Sequence, residues 1–124
     1  MAKDAGIAIV EKMFDAWDRL DWDGVTACFT PDGVLHSMYK APLTGHAEIR
    51  ERLSAIDGQM QAMRCEILTM GTMDGKVVTE RVDHFTFNGK SGAVPCAGIF
   101  EIEDGLIKMW REYCDSGTIL AVLG

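Results

Sequence analysis

The spacing of apolar residues changes from a helical to a strand period partway along the chain. Ile9, Val10, Met13, Phe14 and Trp17 recur at intervals of three and four, one stripe of an amphipathic helix. A short second helix is expected from Trp22 to Phe29, with Val25, Cys28 and Phe29 turned inward, ending at the turn-forming run Thr30-Pro31-Asp32-Gly33. A strand from Val34 to Tyr39 follows. A third helix begins after Thr44-Gly45, with Thr44 as its N-cap and Ile49, Leu53 and Ile56 on its buried side. From Met60 onward alternation with period two takes over, as in Met63-Cys65-Ile67-Thr69. Strands are expected at Val77–Phe87, Val94–Ile102 and Leu106–Cys114, separated by Asp74-Gly75, Asn88-Gly89 and Asp104-Gly105. Helices first and a meander of strands afterwards predict an α+β fold. Three helices in the N-terminal half, laid on a strongly curved sheet, would leave a cone closed at one end. Such a cone encloses an apolar pocket.

Composition narrows this further. The 124 residues are 48% hydrophobic, enough for one core, so residues 1–124 are read as a single domain. No stretch approaches the ~20 apolar residues of a membrane span. The N-terminal segment lacks the unbroken apolar run of a secretory signal, so a cytoplasmic, unprocessed protein is expected. A formal charge of −7 argues against nucleic acid and against anionic membranes as partners. Cys28, Cys65, Cys96 and Cys114 show no metal-binding spacing and read as small buried hydrophobes. His36 and His46 have no ligand-spaced neighbours, so no metal is expected.

The chemistry is concentrated on two strands. Period-two alternation puts Val77, Thr79, Arg81, Asp83, Phe85 and Phe87 on one face of the long strand, and Val78, Glu80, Val82, His84 and Thr86 on the other. A solvated strand segregates charge from aromatic residues, whereas here arginine and aspartate share a face with two phenylalanines. The last strand repeats the anomaly, with Leu106, Lys108, Trp110, Glu112 and Cys114 on one face. If both faces point into the cone, Arg81 can lie between Asp83 and Glu112, its fork holding both carboxylates. The two carboxyls can then differ in proton affinity, as an acid and a base must. Alternation does not by itself separate this from a purely structural ion cluster, which desolvation makes a poor stabiliser.

Thr79-Glu80-Arg81-Val82-Asp83, Gly98-Ile99-Phe100-Glu101-Ile102 and Trp110-Arg111-Glu112-Tyr113-Cys114-Asp115 closely resemble segments of the limonene-1,2-epoxide hydrolase family, within the NTF2-like and SnoaL-like superfamily. Phe29-Thr30-Pro31-Asp32-Gly33 and Met38-Tyr39 are similar to it as well, so the likeness spans nearly the whole chain. The resemblance implies a curved mixed, mostly antiparallel sheet wrapped by helices, usually as a homodimer. It implies a one-step reaction without metal or cofactor, in which water opens a small apolar epoxide, cyclic or terpenoid, to a vicinal diol. Carried onto this chain, Asp83 matches the acid, Arg81 the bridge, Glu112 the base and Tyr39 a water ligand. Trp110 matches a residue of the pocket wall, to which alternation adds Phe85 and Phe87. Two departures stand out. The base is a glutamate where the family has aspartate, and the asparagine found two residues after the tyrosine is missing from Tyr39-Lys40-Ala41-Pro42.

Two other readings compete. A ketosteroid-isomerase-like or polyketide-cyclase-like enzyme would need a carboxylate near the end of the first strand, where the chain has His36, Ser37 and Met38. A non-catalytic module binding small ligands would explain the missing asparagine, but gains little from three buried charges.

Overall fold

The computed structural model describes residues 4–123, so Met1–Lys3 and Gly124 lie outside the described residues. Helix α1 spans Ala5–Asp18 and buries Ile9, Val10, Met13 and Phe14, the stripe its spacing predicts. It starts where the Asp4 carboxylate accepts the N–H groups of Gly6 and Ile7. Helix α2 is shorter than expected, Trp22–Ala27, and Phe29 opens strand β1, Phe29–Ser37. Thr30-Pro31-Asp32-Gly33 is therefore not a turn between elements. It is an irregular stretch inside β1, over which the pairing with the neighbouring strand is interrupted between Phe29 and Val34. Residues that leave a ladder need no ladder hydrogen bonds, which suits proline and glycine there.

The two-residue strand β2 (Leu43–Thr44) precedes helix α3 (Gly45–Ile56). Thr44 is the N-cap residue by position, but its side chain makes no capping bond; its N–H donates to the Glu48 carboxylate instead. Ile49 and Leu53 of α3 are fully buried. Four long strands follow: β3 (Met60–Met73), β4 (Lys76–Phe87), β5 (Lys90–Glu103) and β6 (Leu106–Cys114). A last helix, α4 (Ser116–Leu123), was not foreseen; its run SGTILAVL is apolar all round and shows no period.

The six strands form one sheet in the order β2-β1-β6-β5-β4-β3. Only the β1–β6 pairing is parallel, making the sheet mixed and mostly antiparallel, as expected. Helix α1 packs against β3, β4 and β6, and α3 against β1, so the helices cover one face of the sheet. Phe14, Phe100 and Trp110 meet at the centre of this layer, the Phe14 and Trp110 ring centroids 5.6 Å apart and edge to face.

The inner face of β4 is the predicted one, with Val77, Thr79, Arg81, Asp83 and Phe85 all buried. That of β6 needs correction. The ladder between β5 and β6 slips between Glu101 and Ile102, so Ile107 is fully buried while Lys108 is exposed and paired with Glu103 at 2.9 Å. Lys108 does not share the face of Trp110 and Glu112. The bulge resets alternation before the site begins.

Candidate active site

Arg81 is 1% exposed, the bulkiest of the fully buried side chains. An unpaired guanidinium in such surroundings would be prohibitively costly. Here all five of its N–H donors have acceptors. Nε and Nη2 donate to the two oxygens of Asp83 at 3.1 and 2.9 Å. Nη1 donates to Thr79 Oγ1 at 3.2 Å and to Glu112 Oε1 at 3.1 Å, and Nη2 also donates to Glu112 Oε2. The Phe14 ring lies beneath the guanidinium carbon, 4.5 Å from its centroid, adding a cation–π contact. Burial alone would lower Arg81, but hydrogen bonds to Glu112 and Asp83 hold it above its ordinary value.

The predicted triad is therefore assembled, with Arg81 as a bracket behind two carboxylates. Asp83 and Glu112 both line a cavity of about 380 Å³, whereas Arg81 does not reach its wall. Leu35, Met60, Met63, Phe85, Phe87 and Trp110 supply much of the apolar lining. The predicted wall residues Phe85, Phe87 and Trp110 are thus in place. Trp110 also donates its indole N–H to Glu112 Oε1 at 2.9 Å, fixing that carboxylate from a second side. Burial raises the Glu112 carboxyl above its ordinary value, against the pull of Arg81. With both carboxyls ionised the triad carries one net negative charge.

Tyr39 lies farther out. It follows the end of β1 on the rim of the cavity, 43% exposed, and its hydroxyl has no hydrogen-bond partner among the described residues. Burial of part of the ring, then the nearby Cys114, push the phenol upward. Asp115, adjacent to the site in sequence, is not in it. Its carboxylate accepts the Gly117 N–H at 3.0 Å and the Thr118 hydroxyl at 2.6 Å, capping α4, and the Thr118 hydroxyl holds it below the ordinary range. His46 bonds to the Phe29 carbonyl at 2.9 Å, and His84 pairs with Glu66 on the opposite face of the sheet.

Known proteins share this arrangement of strands and helices. A family profile described as SnoaL-like domain matches residues 10–110. The chain belongs to the SnoaL-like domain family. A relative, epoxide hydrolase EphG of Mycobacterium tuberculosis (strain ATCC 25618 / H37Rv), is 28% identical over 106 residues, covering 86% of this chain and 70% of that protein. The structure of an M. tuberculosis LEH-like epoxide hydrolase superimposes with a TM-score of 0.82 at 26% identity, over 94% of this chain and 87% of that one. An NTF2-like protein of unknown function from Burkholderia pseudomallei reaches a TM-score of 0.87 at 18% identity, over 98% of each chain, a likeness of fold alone.

The SnoaL-like domain also brings to its cavity residues that alternation did not single out. Ser37 is in register with Glu112 across the parallel β1–β6 pair and lines the cavity. Gly98 lies between Thr79 on β4 and Glu112 on β6. A Cβ at Gly98 would come within 2.9 Å of Glu112 Oε1 and 3.0 Å of both Thr79 Oγ1 and Trp110 Nε1. That glycine is what lets the partners of Arg81 converge. No sequence pattern finds either residue, because strand register, not spacing, places them. Thr79 and Phe14 were legible as inward-facing, but not as partners of the guanidinium.

Proposed function

We propose that this protein is an epoxide hydrolase that adds water to a small apolar epoxide in one step, giving a vicinal diol. The observation that carries the reading is the pair of cavity-facing carboxylates held from behind by one guanidinium whose donors are all engaged. Glu112 is the base. Its raised proton affinity makes it a stronger acceptor than an ordinary carboxylate, suited to taking a proton from water. The oxygen of that water attacks an epoxide carbon as the carbon–oxygen bond breaks. Asp83 is the acid, passing a proton to the departing oxygen. Each turnover adds one proton to Glu112 and takes one from Asp83, so the proton count of the site is unchanged. Arg81 keeps both carboxyls in place throughout.

Tyr39 on the rim is the proposed water ligand, and Ser37, in register with the base, takes the part of the missing asparagine. The reaction draws only on side chains of this chain and on water. Phe85, Phe87 and Trp110 favour an apolar substrate body, and the cavity volume is in the range of small-molecule sites. The isomerase or cyclase alternative needs a carboxylate from β1, but the side chains β1 gives the cavity are Leu35 and Ser37. A homodimer is part of the proposal, checked by sedimentation equilibrium. As for place in the cell, no helix of the described residues is long and apolar enough to cross a membrane.

The test is diol formation from a panel of cyclic, terpene and aryl epoxides by the wild type, Asp83→Asn and Ser37→Ala. Loss of the acid should slow turnover by about 100- to 10,000-fold. Loss of one hydrogen bond to the water should cost roughly tenfold. Folded wild-type protein that yields no diol from any member would sink the proposal.

A further inference from the structure

A second reactive group faces the same cavity. Cys96 on β5 and Cys114 on β6 are direct partners in the antiparallel ladder, and both line the cavity. Direct antiparallel partners have Cα atoms about 4.5–5.5 Å apart, inside the span of about 4.4–6.8 Å that a disulfide accepts. The two sulfurs are in contact at 2.8 Å, and Cys114 Sγ lies 3.6 Å from Glu112 Oε2. Cys28 is buried at the C-terminal cap of α2, and Cys65 lies on β3, two strands away from Cys96. Neither can reach the pair.

We propose that Cys96 and Cys114 are a reversible cross-linking site in the cavity wall, closed to a disulfide by a low-molecular-weight disulfide entering through the mouth. Cys114 is the more accessible of the two and meets the reagent first. Its sulfur, giving up its proton, attacks one sulfur of the reagent and expels one small thiol. Cys96 then attacks the Cys114 sulfur of the mixed disulfide and expels the second. The protein loses two hydrogens and two electrons, which the reagent carries away as two thiols. The Cys114 hydrogen bond and burial both push the Cys96 thiol upward, so closure is slow at neutral pH and quickens as pH rises. For the same reason no stabilised thiolate favours the open state. Closure also removes the Cys114 S–H that faces Glu112, leaving that oxygen to Arg81.

Wild-type protein held with 2-hydroxyethyl disulfide at mildly alkaline pH should lose two of its four thiols. Its intact mass should fall by two hydrogens, and peptide mapping should join Cys96 to Cys114. Dithiothreitol should restore all thiols. Cys96→Ser should instead retain a mixed disulfide on Cys114. Should that variant not fold, Cys96→Ala serves, and the wild-type count stands without either. Four persistent thiols, a mixed adduct that never closes, or a bridge to Cys28 or Cys65 would each overturn the assignment. None of these measurements requires turnover, so their outcome is separate from that of the hydrolase proposal.

Discussion

The two faces of β4 carry nearly the same ingredients to opposite ends. Inward, Arg81 binds Asp83 and Glu112, with exposures of 8% and 6% for the two carboxylates. Outward, His84 holds Glu66 at 2.8 Å, with both side chains at least a third exposed. The inner cluster is largely buried, and neighbouring side chains supply every partner of its guanidinium. The outer pair has water as an alternative partner for each group. Their surroundings send the two glutamates in opposite directions: Glu112 rises by desolvation, while the His84 hydrogen bond lowers Glu66. The difference lies in desolvation, which raises the proton affinity of a carboxylate that neighbouring side chains must satisfy.

The largest break in this contrast is expected from Arg81→Met. It leaves two buried carboxylates with no counter-ion, so stability at neutral pH should drop by about 3–5 kcal/mol. Urea unfolding followed over pH should show part of that loss recovered in acid, where the carboxyls are protonated. A uniform loss at every pH would show that the cluster is not held by charge.

A smaller, differently shaped effect is expected from Glu112→Gln. The folded protein holds the Glu112 proton more tightly than the unfolded chain does. That stabilisation is full below the ordinary value of 4.5 and is lost as pH rises through the raised one. The variant lacks this dependence, so its stability relative to wild type should climb with pH across that window. A flat difference would refute the raised affinity.

Glu66→Gln should change least and with the opposite sign. The depressed Glu66 stabilises above the ordinary value of 4.5, and the effect disappears as pH falls through the lowered one. Variant and wild type should therefore coincide in acid and separate slightly near neutrality. Separation that grows toward acid would reverse the assignment.

Much of this was legible from period-two alternation, which put Arg81 and Asp83 among aromatics on an uninterrupted strand. It did less well wherever a ladder is irregular. The bulge at Lys108 has no local composition to announce it, and the interrupted part of β1 carries the same Thr-Pro-Asp-Gly composition as a true turn. The register of Ser37 with Glu112, and the contact of Cys96 with Cys114, depend on which residues lie opposite each other. That information belongs to the sheet, not to any one segment. Tyr39 lines the cavity from its rim, a depth that alternation within one strand does not encode.

Three two-residue turns, Asp74-Gly75, Asn88-Gly89 and Asp104-Gly105, join β3 to β6 in succession, with every turn residue at positive φ. Glycine adopts that geometry freely, and Asp and Asn tolerate it better than most. A surface loop of this kind would ordinarily accept a longer insertion at little cost. Here the register is what counts, because a one-residue slip of β4 against its neighbours would turn Glu80, Val82 and His84 inward and expose Arg81 and Asp83. The ionic content of the cavity thus depends on the geometry of tight turns that never touch it.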